Sequence, residues 1–457
     1  MDFSQYKIFR KEIEKEYGSY YKKYSFAFLV LDYLVQLNVH SKYNKSWVSD
    51  RDWSLYVDTM TRSDFTTYTY CLYLKVASYF VQSKSKGVKI HVAFENHKFP
   101  GLNKVIDKIA GENNWEVVFQ GSDSLSNILD HILLKKISPY RCFISRKTKN
   151  LLSKFRKFDE VSWKELLDDS ALMMQLNQSV QQDTIRTGQL IKRLGINIFI
   201  NTGDSSGHAR ILIDSSKNYD SKTISFAHGY IAGDSLLGIA PIRSDKLILW
   251  TNKQFLEISD VIGCSQSKKL AYIGFPKKNI TGEISTDSNT SLLVMGYIKD
   301  IVRNGELSAV FLDVIKTLKS LSIKVKLRLH PHERYNSSII KEFVVKNNIE
   351  LSHDDLHSEI ASAEYVIGAN TSVLVEAASC GKNVFEIEEF SNSVLDFEGV
   401  IRINAEQVKD IKLFSDRVNN DYLAFNEKEL ERNLKKLIIS VYSTPNTMTE
   451  SKNHDVS

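Results

Sequence analysis

From residue 88 onward, short apolar runs alternate with longer stretches in which apolar positions recur every three or four residues. The runs "VKIHVAF" (88–94), "WEVVFQG" (115–121), "INIFINTGD" (196–204), "KTISFAHGY" (222–230), "KLILWTN" (246–252) and "LAYIGFPK" (270–277) have the length and apolar content of buried parallel strands. Most of them close on a Gly, Asp, Asn or Pro turn. "GLNKVIDKIAGENN" (101–114) predicts a helix ending near Gly111, and residues 143–195 read as helical and polar. The polar, turn-rich stretch 277–290 predicts a linker.

A second series follows. Strands are predicted at 291–297, 324–331, 364–371, 383–388 and 400–404. Helices are predicted over 306–321, 336–347, 372–380 and 425–442, the last strongly amphipathic. Strands alternating with helices imply parallel sheets. The expected architecture is therefore two doubly wound α/β domains, 1–276 and 291–442, with a disordered tail over 443–457. The first 85 residues lack this rhythm and predict a helical N-terminal extension. Within them Arg62–Gln82 reads as an aromatic helix, and "FAFLVLDYLVQL" (26–37) as a buried helix or strand.

Bulk properties narrow the class. The 457 residues are 42% hydrophobic and 25% charged, with net charge +5, an ordinary soluble composition. That charge is too weak to imply nucleic acid, and no nucleic-acid motif is present. Cys71, Cys142, Cys264 and Cys380 show no metal spacing and fit a reducing, cytoplasmic setting. The 26–37 run falls short of the about 20 apolar residues of a membrane span. The basic segment 146–158 reads first as a solvated helix face; an anionic glycan or inner-leaflet lipid is the alternative.

Candidate chemistry lies at strand ends, where ligands bind in sheets of this kind. Strand 324–331 delivers His330, Pro331 and Arg334 to one turn. Pro331 stiffens that turn. Strand 364–371 delivers Asn370, Thr371 and Ser372, with Asn370 or Thr371 at the expected N-cap of the next helix and Gly381 as its terminator. Hydroxyls at a helix N-terminus favour phosphate oxygens. Glu376, one turn on, is a candidate for a ribose or sugar hydroxyl, and Gly296 ends strand 291–297. His330, His332 and Glu333 match no zinc signature, so no metal is expected.

"RLHPHE" followed by "ANTSVLVEAASCGKNVFEI" resembles the nucleotide-binding half of GT-B glycosyltransferases, in the branch of bacterial sialyl- and polysialyltransferases, Kdo transferases and teichoic-acid glycerol-phosphate polymerases. The resemblance covers about residues 195–390. It implies two Rossmann-like domains facing a cleft, with His330-Pro331 and Thr371-Ser372 on the donor phosphate. His228-Gly229 is similar to the "HG" motif of the polymerases, which implies a general base at His228. The acidic triplet of the sialyltransferases is absent. Asp204 and Asp234 are thus the other candidates for the base.

The implied activity is metal-independent transfer of a sugar, with a nonulosonic acid such as sialic acid or Kdo foremost, from a cytidine-nucleotide donor to a surface-polysaccharide hydroxyl. No cofactor is implied beyond the donor, a CMP-sugar in this reading. The implied partners are nucleotide sugar and a glycan or lipid-linked glycan acceptor, with peripheral contact to the inner membrane or capsule-assembly proteins. Alternatives are a UDP-sugar transferase or UDP-GlcNAc 2-epimerase-like enzyme, a CDP-glycerol-type polyol-phosphate transferase, and a non-catalytic scaffold.

Overall fold

The computed structural model describes residues 3–43, 87–93, 101–119, 144–156, 160–203, 206–227, 236–274, 289–295, 301–303, 306–329, 338–352, 354–369, 371–390, 399–415 and 426–444, with a few single residues between. Two compact units emerge. Phe3–Ile231, Ser235–Gly274 and Lys428 onward form the N-terminal unit, and Phe275–Glu427 makes up most of the C-terminal one. The doubly wound α/β architecture expected from the sequence is present in both.

The N-terminal unit opens with α1 (Phe3–Lys23) and α2 (Phe28–Tyr43). It continues through β1 (Lys89–Val92), α3 (Leu102–Glu112), β2 (Glu116–Phe119), α4 (Arg146–Leu152), α5 (Glu160–Asp168) and α6 (Ser170–Leu194). Then come β3 (Ile198–Thr202), α7 (Gly207–Lys217), β4 (Lys222–Phe226), β5 (Lys246–Leu249), α8 (Asn252–Ile262) and β6 (Leu270–Tyr272). The sheet order is β2-β1-β3-β4-β5-β6, and every pairing is parallel. Caps set the helix limits. The Asp169 carboxylate accepts from Leu172 N at 2.9 Å to start α6, which stops at Gly195 with φ 62°. Ser206 starts α7 by accepting from Ala209 N at 3.1 Å.

The 26–37 run resolves as a helix. Leu29, Leu31, Leu34 and Val35 of α2 are all buried, and so is Asp32 among them. Arg210 of α7 meets the Asp32 carboxylate at 2.5 Å, Gln36 donates to it at 2.8 Å, and Tyr21 also donates to it. Burial alone would raise the Asp32 pKa. The Arg210 charge, with Arg243 and the Tyr21 hydrogen bond, holds it below its ordinary value. On α4 and the 3₁₀ turn after it, Thr148, Leu151, Leu152 and Phe155 face inward, while Arg146, Lys147, Lys154 and Arg156 are exposed. The segment Arg62–Gln82 lies outside the described residues.

The C-terminal unit runs through β7 (Thr290–Met295), a two-residue hairpin β8 (Val302–Arg303) and β9 (Glu306–Leu307), α9 (Ala309–Ser320) and β10 (Lys324–Leu329). Next are α10 (Ser338–Lys346), β11 (Glu350–Leu351), α11 (Leu356–Ser362), β12 (Tyr365–Ala369), α12 (Val373–Ser379), β13 (Asn383–Ile387) and β14 (Val400–Ile403). The order β11-β10-β7-β12-β13-β14 is again all parallel. Leu293, Leu327, Ile367 and Phe385 pack with Phe311, Val314 and Leu318 of α9. A Cβ on Gly368 would lie 2.1 Å from the Val294 carbonyl oxygen, so β12 approaches β7 closely enough to require glycine there.

Three expectations change. Several strands are shorter than predicted, as β4 is, ending at Phe226. The hairpin β8–β9 and β11 are two-residue strands too short to leave a periodic signal. The last helix, α13 (Glu427–Ser443), was expected in the C-terminal domain, yet from Lys428 it groups with the N-terminal unit. Lys108–Glu431 (2.6 Å) and Lys435–Glu112 (3.0 Å) tie it to α3, and Asn433 donates to Ile273 O at 3.3 Å. Its buried stripe of Leu430, Leu434, Ile438 and Val441 shows in the sequence, but a stripe does not name the surface that receives it.

Candidate functional site

Both sheets have a topological switch point, the place where an open α/β sheet leaves a crevice at its strand C-termini. In the C-terminal unit the chain leaves β7 toward β10 on one side and β12 toward β13 on the other. Register aligns the three strand ends: Leu329 lies opposite Met295, and Met295 opposite Ala369. Each end runs directly into predicted site residues. Gly296 follows β7, His330-Pro331 follow β10, and Asn370-Thr371-Ser372 follow β12. Gly296, His330, Pro331, Arg334 and Asn370 lie outside the described residues.

Thr371, Ser372 and Glu376 are described, and their roles separate. Ser372, not Asn370 or Thr371, holds the N-cap position of α12, with helical φ −67° and no side-chain cap bond. The Thr371 oxygen accepts from Val373 N at 3.3 Å, so it serves the turn while its O–H can still donate. Both residues are partly exposed, whereas Glu376 is 7% exposed, inside the unit rather than on the rim. The helix itself is seven residues long. Its dipole is correspondingly small, and an anion here would rely on hydroxyls and loop N–H groups. The far end is as expected: Gly381 at φ 74° donates to Ala378 O (3.0 Å) and Lys382 N to Ala377 O (3.2 Å), a Schellman closure.

The neighbouring strand end is braced by a residue the sequence did not single out. Arg328 alternates with Leu327 and Leu329 along β10, and it is buried like them. Its Nη1 donates to Ser352 Oγ (3.0 Å) and Asp354 O (2.9 Å) and pairs with the buried Glu359 carboxylate of α11. Ser352 also donates to Glu359. This cluster fixes the last turn of β10 just before His330. An arginine two residues ahead of the turn was the available signal.

In the N-terminal unit the switch point lies between β1 and β3. β3 and β4 end side by side, with Gly203 N donating to Phe226 O at 2.7 Å. The chain beyond carries Asp204 and His228, which, like Asp234, lie outside the described residues. Two unpredicted residues occupy this end. Asn201 is fully buried; its Oδ1 accepts from Ser225 Oγ at 2.5 Å, and its Nδ2 finds no partner among the described residues. His208, in the first turn of α7, has its imidazole pushed down to about 4 by burial, with Lys149 adding to the effect. It is therefore neutral at pH 7 and too weak a base to carry much general-base catalysis.

Among the described residues no group of three or more His, Cys, Asp and Glu side chains is placed to hold a metal ion, and no helix is long and apolar enough to cross a membrane.

No protein-family profile and no curated protein sequence matches the chain. Several solved structures are similar in shape. UDP-GlcNAc 2-epimerase from Neisseria meningitidis bound to UDP-GlcNAc matches with 11% identity and TM-score 0.46, covering 78% of this chain and 98% of its own. UDP-GlcNAc 2-epimerase from Methanocaldococcus jannaschii, in complex with UDP-GlcNAc and UDP, matches with 11% identity and TM-score 0.45, covering 77% and 99%. The wall teichoic acid polymerase TagF matches with 11% identity and TM-score 0.41, covering 82% and 93%. At these values the likeness transfers no residue role to this chain.

Proposed function

We propose that this protein is a glycosyltransferase of the GT-B type, taking a sugar from a cytidine-nucleotide donor to a hydroxyl of a bacterial surface polysaccharide. One observation carries the reading: β10, β7 and β12 end in register at a switch point, with Thr371 and Ser372 partly exposed beside it. That is where a doubly wound sheet binds a nucleotide.

Ser372 and Thr371 donate hydrogen bonds to the donor phosphate, and His330 stabilises the negative charge that gathers there as the sugar departs. Arg334, four residues on, adds a cation, and the Arg328–Glu359 cluster braces the strand end that leads to them. An alcohol acceptor must lose its proton as it attacks. His228 is the base in this reading, since an imidazole is half-neutral near its ordinary pKa of about 6.5. Asp204 and Asp234 are the alternatives. The phosphate is neutralised by side chains, so no metal or cofactor is required.

Calorimetric titration of CMP, CDP, UMP and UDP into wild type, His330→Ala and Ser372→Ala tests this. The expected result is cytidine-nucleotide binding that both variants weaken. UDP preference would replace the donor with a UDP-sugar and bring a hexosyltransferase or epimerase forward. CDP favoured over CMP would point to a polyol-phosphate donor. No binding of any nucleotide would overturn the reading and leave a non-catalytic scaffold.

A further inference from the structure

A cavity of about 810 Å³ opens in the N-terminal unit. It is lined by residues that precede or begin β1, β2 and β3, among them Asn113, Asn114, Trp115, Glu116 and Asn197, and it is closed on one side by Tyr442 of α13. It therefore sits at the N-terminal edge of the sheet, opposite the switch-point edge. Its volume falls within the roughly 300–1,000 Å³ of small-molecule sites.

The lining has a particular chemistry. Trp115 is partly exposed and Tyr442 is 46% exposed, so two aromatic rings border the space. The amides are half engaged, in complementary ways. Asn113 Nδ2 donates to Ile109 O at 2.6 Å, which leaves its oxygen to accept. Asn197 Oδ1 accepts from Lys89 N at 2.8 Å, which leaves its NH₂ to donate. Between them the two amides offer a donor and an acceptor to sugar hydroxyls, which both donate and accept. The single carboxylate, Glu116, is already paired with Lys89 Nζ at 3.1 Å. The cavity thus carries almost no net charge.

Aromatic faces stack on the C–H face of a sugar ring, and amides bind its hydroxyls. We propose that this cavity is a binding site for a neutral saccharide, distinct from the nucleotide site. Among the described lining residues there is no cation to neutralise a charged glycan, and the nearby Lys89 is paired with Glu116. If the transferase reading also holds, the site grips a part of the acceptor remote from the reacting hydroxyl. The proposal itself rests on the lining and does not require that reading.

The test titrates maltotetraose, chitotetraose and an anionic heparin tetrasaccharide into the full chain, read by saturation-transfer NMR and tryptophan fluorescence. Saturable binding of a neutral probe is expected. Trp115→Ala and Tyr442→Ala should each weaken it about tenfold, with Trp115→Phe retaining part of the affinity. Nucleotide binding by the same variants should be unchanged, which separates loss of the cavity from loss of the fold. The proposal is overturned if neither neutral probe binds, if binding survives both alanine variants, or if the anionic probe binds more tightly. Saccharide binding without nucleotide binding would sink the transferase reading and leave this site standing.

Discussion

Among the described residues each unit buries an arginine–carboxylate pair, but in different places. In the N-terminal unit Asp32 and Arg210 join two helices, α2 and α7, and both side chains are fully buried. In the C-terminal unit Arg328 and Glu359 join the end of β10 to α11, one residue from the turn that carries His330. Both sheets bury polar side chains within their strands: His91, Asn201, Thr223 and Ser225 in the N-terminal one, Ser291 and Glu386 in the C-terminal one. A buried pair gives little net stability over an apolar replacement, but removing one member is costly. The first pair therefore ties two helices together, whereas the second ties the end of β10 to α11. Similar winding thus conceals different uses of buried charge.

The largest effects come from breaking each pair in turn. Asp32→Ala and Arg328→Ala should each cost about 3–5 kcal/mol, because each leaves a buried charge uncompensated. Urea unfolding of the full chain measures the loss. Only Arg328→Ala should also weaken nucleotide binding. Equal effects of the two variants on nucleotide affinity would erase the distinction between them. Next in size is Gly368→Ala, which drives a methyl into the Val294 carbonyl and should cost about 1–3 kcal/mol or more. Gly188→Ala meets only the Tyr219 ring, which can swing away, so its drop in Tm should be smaller.

Acid should distinguish the units. Burial holds the His91 imidazole down to about 3, against about 6.5 in an unfolded chain. Below pH 6.5 the unfolded chain takes up a proton that the folded one refuses, so stability falls as pH drops from 6.5 toward 3. At pH 5 the loss from His91 is roughly 2 kcal/mol. Unfolding curves at pH 7 and pH 5 should show it, and His91→Phe should remove that part of the slope. An unchanged slope would mean that His91 titrates normally. The smallest effect belongs to the exposed face of α4. Replacing Arg146, Lys147 and Lys154 by Glu should change stability by only about 0.5 kcal/mol per residue or less. A large drop in binding of an anionic glycan or lipid vesicle by that variant would give the face a role beyond solvation.

Much was legible in the sequence because it is local. Strand alternation, capping residues and turn glycines act over a few residues, so the β/α rhythm and the Gly381 stop could be read directly. Pairing partners could not. Asp32 lies within the apolar 26–37 run, and only the packing of α7 brings Arg210 to it; Arg328 likewise meets Glu359 only through α11. The amphipathic stripe of α13 was plain, but its docking on α3 was not. Trp115 and Tyr442, far apart in the sequence, share a cavity only because that helix returns to the first unit. Local chemistry specifies which elements form and where they stop. Which charges are paired, and which faces meet, depends on sheet order and helix packing among residues far apart in the chain, and those were decided only in the tertiary structure.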